Sequence, residues 1–206
     1  MPDLRSALKQ CPVVAILRGV QPDEVDAVGD ALVEAGVMII EVPLNSPKPF
    51  DSIGRLAKRH GERALIGAGT VLETSDVARI KDAGGRLVVA PNFDADVVRA
   101  TKAAGLVALP GVMTPSEGFA ALKAGADGLK LFPAEIIPPA VFKAWRAVFP
   151  ADCLLLAVGG VGTGNLKTYA DAGASGYGIG SALYRPGRSP AEIAPLARAL
   201  VAAAKA

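Results

Sequence analysis

The sequence predicts a compact α/β fold, a (β/α)8 TIM barrel, with residues 1–206 forming one domain. Three observations predict it. A short apolar run, a cluster of Gly, Pro, Asn or Thr and an amphipathic stretch closing on Gly recur about every 20–25 residues, as an internal repeat does. The apolar runs number eight, each with a candidate helix between it and the next. They are mostly continuous rather than alternating, which suits parallel strands buried on both faces. A doubly wound open sheet also alternates strand and helix, but eight near-equal units favour the closed barrel.

Taken in order, the strand candidates are Val13–Leu17, Met38–Leu44, Ala64–Gly67, Leu87–Ala90, Val107–Leu109, Gly128–Phe132, Leu154–Val158 and Gly176–Gly180. Helix starts are signalled by Pro22-Asp23-Glu24, Thr74-Ser75-Asp76, Asp94 and Thr114-Pro115-Ser116-Glu117, where short polar side chains cap free N–H groups and Pro suits the first turn. Helix ends are signalled by Gly36, Gly84, Gly105, Gly125 and Gly173, since glycine accepts the left-handed conformation that terminates a helix. Ser189–Ala206 reads as a last helix with Ile193, Leu196, Leu200 and Val201 on one face, packed on the barrel.

Composition narrows the function classes. The chain is 51% hydrophobic and 20% charged, which predicts a packed core rather than disorder. Its 22 basic and 20 acidic residues leave a net charge of +2, far from the footprint of a nucleic-acid binder. The segment Met1–Gln10 is polar and mixed in charge, unlike a signal peptide, and no apolar run approaches membrane-spanning length. A cytoplasmic protein without nucleic-acid or membrane partners is expected. Cys11 and Cys153 are too few and too far apart for a disulfide framework, and with the lone His60 they give no zinc-like spacing. Hence no metal and no cofactor is expected. His60, beside Gly61, reads as a solvated helix terminus, Cys153 as a small buried hydrophobe, and Phe142, Trp145 and Phe149 as core packing along one helix face.

Barrels place their chemistry at the C-terminal ends of the strands. Polar residues late in the apolar runs are Arg18, Glu41, Thr70, Asn92 and Lys130, with Gly159-Gly160 and Gly180-Ser181 ending the last two runs. Glu41 and Lys130 interrupt otherwise apolar strands, where an unpaired charge is costly. A desolvated lysine loses basicity, and its free amine can attack a ketone to form an iminium. A desolvated glutamate gains a pKa suited to proton shuttling. The same residues also suit a buried ion pair, or a lysine that snorkels out of the barrel. The glycines fit a phosphate cradle, which barrels often build after their seventh and eighth strands, or ordinary turns. They match neither the dinucleotide fingerprint nor the Walker loop, since Asn165-Leu166 stands where Lys-Ser/Thr is required.

Six segments carry a resemblance along nearly the whole chain: Val14–Gly19, Glu41–Pro47, Ile66–Val71, Pro110–Pro115, Leu129–Pro133 and Val158–Val161. Together they resemble the 2-keto-3-deoxy-6-phospho sugar acid aldolases. That resemblance implies a metal-free class I aldolase barrel, usually a homotrimer, that releases pyruvate from a phosphorylated sugar acid. It implies Lys130 as the Schiff-base lysine, Glu41 as the proton-transfer group and Thr70 as a carboxylate holder. Arg18 is implied as a substrate-binding arginine, and Gly159, Gly160, Gly180 and Ser181 as phosphate loops. Members acting on the gluconate compound commonly carry Glu-Val-Thr-Leu-Arg-Thr and Thr-Gly-Gly. This chain has Pro43, Asn45 and Val158 instead, which resembles the branch acting on the C4-epimeric galactonate compound. From another reaction class, a sugar-phosphate isomerase or epimerase barrel could use Glu41 as a base and Lys130 as a clamp.

Overall fold

A computed structural model describes residues 2–205; Met1 and Ala206, the ends of two segments read above, lie outside the described residues. The chain runs α1 (Leu4–Gln10), β1 (Val13–Ile16), α2 (Val25–Glu34), β2 (Ile39–Pro43), α3 (Pro49–His60), β3 (Leu65–Gly69), α4 (Thr74–Asp82), β4 (Leu87–Val89) and α5 (Ala95–Ala103). It continues β5 (Val107–Leu109), β6 (Gly111–Val112), α6 (Pro115–Ala124), β7 (Leu129–Leu131), a 3-10 turn (Ala134–Ile136), α7 (Pro139–Arg146), β8 (Leu155–Val158), α8 (Leu166–Asp171), β9 (Gly176–Ile179) and α9 (Pro190–Lys205).

All strand pairs are parallel, and the sheet order is β5-β4-β3-β2-β1-β9-β8-β7-β6. The two sheet edges, β5 and β6, are successive pieces of one stave broken at Pro110, which has no N–H to donate. The ring closes through that stave. On one side Ala90 N–H donates to Leu109 (3.2 Å) and Gly111 N–H to Asn92 (3.2 Å); on the other Asp127 N–H donates to Ala108 (3.0 Å) and Lys130 N–H to Pro110 (2.9 Å). Asp127 reinforces the seam by accepting from Ala108 N–H (2.8 Å) and pairing with Lys102 (2.7 Å). Nine assigned strands among the described residues thus make the eight staves the sequence predicts.

The continuous apolar runs follow from burial on both faces. Val13, Ala15 and Leu17 join the outer core under the helices, whereas Val14 and Ile16 fill the barrel interior. Likewise Leu155 and Ala157 face out, and Leu156 and Val158 face in. Helix α1, unforeseen in the polar N-terminal segment, adds Leu4, Ala7 and Leu8 to the interior cluster and closes the lower end of the barrel. Asp3 caps it by accepting from Ser6 N–H (2.9 Å). No helix among the described residues is long and apolar enough to cross a membrane.

The punctuation largely holds. Gly36, Gly84, Gly105, Gly125 and Gly173 all follow helices with φ between 77° and 104°. Asp94 caps α5, and Thr114 and Glu117 form a reciprocal capping box on α6. Glu24 and Thr74 are weaker signals, because neither α2 nor α4 has a side-chain cap.

Three expectations need correction. His60 ends α3 but is only 4% exposed, because it lies under α2 where Gly29 leaves room, 3.2 Å from Asp30. Burial lowers its pKa, with Asp30 opposing, so a solvated cation is the wrong description. Leu196 is 36% exposed, while Ile193, Leu200 and Val201 are buried against the barrel. Phe149 lies beyond the end of α7, although it stacks on Trp145 (4.7 Å) and Phe119 (4.2 Å). Cys153 is buried as expected.

Candidate active site

The phase of the pleat decides where the two strand charges go. In β7, Leu129 and Leu131 belong to the outer core, so Lys130 between them points into the barrel. In β2, Ile40 and Val42 face out, so Glu41 points in as well. Both are buried, with 6% and 2% of their surface exposed. Gly69 at the end of β3 makes room for Glu41, since a Cβ there would fall on the glutamate carboxyl group.

Burial lowers the Lys130 pKa; the Glu41 charge opposes that fall and Arg18 adds to it. Burial pushes Glu41 up to about 7, against the pull of Lys130 and then Arg18. Among the described residues no ion pair within 4.0 Å joins the two, and Glu41 Oε2 is buried without a hydrogen-bond partner. Lys130 Nζ lies 4.7 Å from the centroid of the Phe132 ring. The arrangement is a pair of desolvated groups, one amine and one carboxyl, rather than a closed salt bridge or a lysine extended to solvent.

Above them is a cavity of about 410 Å³ at the C-terminal ends of β1, β7, β8 and β9. Six residues expected from the sequence line it: Arg18, Lys130, Gly159, Gly160, Gly180 and Ser181. Glu41 and Thr70 do not line it. Glu41 is buried in the barrel interior outside that lining, and Thr70 reaches the site through Arg18, whose guanidinium nitrogens lie 3.4 Å from Thr70 Oγ1. Thr70 has φ 55°, an uncommon conformation for a β-branched residue. Asn92, in the loop after β4, lies away from this cavity beside Asp94 and Pro110.

The rim after β8 turns on Gly159 (φ 105°) and Gly160 (φ 64°). Asn165 fixes it, accepting from Gly162 N–H and donating to the Gly160 carbonyl, both at 2.9 Å. After β9 the Gly180 carbonyl accepts from Leu183 and Tyr184 N–H (2.9 Å each), so Ser181 and Ala182 open a helical turn at the cavity edge.

Sequence reasoning missed several participants. Asn45 accepts from Arg18 at 2.6 Å, yet it was read only as a branch marker. Val158, another such marker, lines the cavity, whereas Pro43 is buried in β2. Phe132, Glu135 and Arg185 also line it. Glu135 lies in the short 3-10 turn and Arg185 in a loop, with no apolar run to set their direction, so no pattern marked them. Among the described residues, no group of three or more His, Cys, Asp or Glu side chains could hold a metal ion.

Comparison with known proteins agrees with this geometry. The sequence profile described as "KDPG and KHG aldolase" matches residues 4–201. A Rhizobium meliloti (strain 1021) protein named "Probable 2-dehydro-3-deoxy-6-phosphogalactonate aldolase" is 48% identical over 192 residues, covering 93% of this chain and 91% of the relative. An Escherichia coli (strain K12) "2-dehydro-3-deoxy-6-phosphogalactonate aldolase" is 44% identical, covering 93% and 94%. The solved "Native KDPGal structure" superposes with a TM-score of 0.93 at 44% identity, covering 94% of each chain. With its barrel, its buried lysine and glutamate and its glycine-rimmed cavity, the chain belongs to the KDPG and KHG aldolase family.

Proposed function

We propose that the protein is a Schiff-base aldehyde-lyase that cleaves 2-dehydro-3-deoxy-6-phosphogalactonate to pyruvate and D-glyceraldehyde 3-phosphate, acting as a cytoplasmic homotrimer without a cofactor. The whole chain acts as one domain, since a single sheet draws strands from β1 to β9 and α9 packs back on α2. The observation that carries the reading is the desolvated amine of Lys130 in the cavity lining, together with the inward-facing Glu41 carboxyl that burial pushes up to about 7.

Neutral Lys130 attacks the C2 ketone, and loss of water gives the iminium. The Glu41 carboxylate, directly or through a water, takes the proton of the C4 hydroxyl. The C3–C4 bond breaks, its electron pair passes into the iminium to form an enamine, and the aldehyde phosphate leaves. Glu41 returns the proton to C3, and water hydrolyses the iminium to release pyruvate and the amine. A carboxyl group at about 7 serves both proton transfers near neutral pH. Arg18, held by Asn45 and Thr70, meets the substrate carboxylate. The loops at Gly159, Gly160, Gly180 and Ser181 take the phosphate, so remote binding energy orients the reacting carbons. The galactonate assignment rests on Asn45, which accepts from Arg18, on Val158 in the cavity lining and on the names of the two relatives.

The test is borohydride reduction in the presence of pyruvate. The wild-type chain gains one reduced pyruvate at Lys130, and Lys130→Met gains none and loses turnover while remaining folded. Absence of the adduct in the wild type would leave the isomerase reading in possession of the site.

A further inference from the structure

The glycine loops offer backbone amides to a phosphate, but amides alone carry no full charge to match a dianion. One side chain beside those loops does. Arg185 follows the turn that begins at Gly180 and lines the same cavity as Gly160, Ser181 and Lys130. Its Nε donates back to the Ser181 carbonyl at 3.0 Å. That bond uses one of the five guanidinium N–H groups and orients the fork, leaving the two terminal nitrogens to face a ligand.

The turn that presents Arg185 is tied down from behind. Arg188 donates to the Leu183 carbonyl at 2.8 Å, and Tyr184 Oη donates to Glu24 at 2.7 Å. Glu24 also accepts from Gln21 N–H (3.0 Å), so the β9 turn is joined to the loop that follows Arg18. A Cβ on Gly19 would lie 2.8 Å from Pro186, which places these two loops in direct contact. Arg185 is therefore carried on a braced segment. The cavity lining holds two guanidinium side chains, Arg18 and Arg185, and the Lys130 amine, against one acidic side chain, Glu135.

We infer that Arg185 is the side chain that selects a phosphorylated substrate, closing its guanidinium on the phosphate held between the glycine loops. This rests on the aldolase reading for the substrate's identity, but not for the anion site itself. Charge-assisted, fork-shaped donation to phosphate is stronger and more directional than donation from neutral amides. The Glu135 side chain lies against Gly160, where an added Cβ would meet it, so the Arg185 charge also offsets a carboxylate beside that glycine loop.

The test has two arms. Calorimetric titration of inorganic phosphate into the wild type and Arg185→Gln measures the anion site without any reaction. A weakening of tenfold or more is expected in Arg185→Gln, with part of the affinity restored in Arg185→Lys. The second arm measures kcat/KM for the 6-phospho acid and for the same acid without phosphate. The ratio of the two falls by tenfold or more in Arg185→Gln, through KM rather than kcat. Equal phosphate affinity in wild type and Arg185→Gln, or an unchanged ratio, overturns the inference, as does a wild type that binds no phosphate. Failure of pyruvate trapping in the wild type overturns the aldolase reading instead, and the calorimetric arm still decides the anion site.

Discussion

A carboxyl group buried to suit catalysis should be visible in the pH dependence of stability. Burial pushes Glu41 up to about 7 in the folded chain from its ordinary value of 4.5. The folded state holds this proton more tightly than the unfolded state. Its contribution is therefore fully present below about pH 4.5 and is lost as pH rises through about 7. At about 1.4 kcal/mol for each pH unit between the two values, the loss is about 3 kcal/mol. Glu41→Gln keeps the shape and carries no titrating group. The stability of Glu41→Gln relative to wild type should thus climb by about 3 kcal/mol between pH 4.5 and 7 and be flat above pH 8. Urea unfolding of both chains at half-unit intervals from pH 4.5 to 8.5 measures this directly. Parallel curves across that range would refute the reasoning, because they would mean that Glu41 ionises in the fold as freely as in the unfolded chain. The same substitution should lower kcat at pH 7 by at least about a hundredfold, the usual contribution of a positioned acid-base group.

Gly69→Ala places a methyl group on the Glu41 carboxyl, so kcat should drop by about tenfold or more with little change in phosphate affinity; a near-normal kcat would show that the glutamate needs no such room. With the two C4-epimeric phospho acids compared side by side, kcat/KM should favour the galactonate compound by about tenfold, or about 1.4 kcal/mol in the transition state. Asn45→Arg combined with Val158→Thr should narrow that ratio, and a tie in the wild type would remove both residues from specificity. Asp94→Ala removes the cap that accepts from Asp96 and Val97 N–H, and should cost about 1 kcal/mol in urea unfolding while kcat stays put.

Fold and site were legible in the sequence to different depths. Strand position was readable because each stave is buried on both faces, as Val13–Ile16 and Leu155–Val158 are, and leaves an unbroken apolar run. The direction of Lys130 and Glu41 was not readable: the apolar runs also suited a lysine that leaves the barrel, and it is the outward packing of Leu129, Leu131, Ile40 and Val42 that turns both inward. Helix α1 was hidden because its seven residues are too few to display a period and only Leu4, Ala7 and Leu8 are buried. His60 was misread because its burial depends on Gly29 of a neighbouring helix, which spacing along one helix does not report. Arg185 and Glu135 went unmarked for a related reason: in a loop or a single 3-10 turn a side chain takes its direction from contacts such as the Arg185–Ser181 bond, not from periodicity.

The plugged lower end of the barrel has a kinetic consequence. With Leu4, Ala7 and Leu8 filling that end, the vessel has one mouth. In the proposed reaction the pyruvyl half is tethered to Lys130 in the depths, and the phosphate half lies between it and the exit. Departure is then a queue. The aldehyde phosphate goes first, the hydrolytic water follows it in, and pyruvate leaves last. Running backward, the same blind tube admits pyruvate before its partner. The covalent tether fixes that order, and the short N-terminal helix that shuts the other end makes aldehyde, water and pyruvate share one passage.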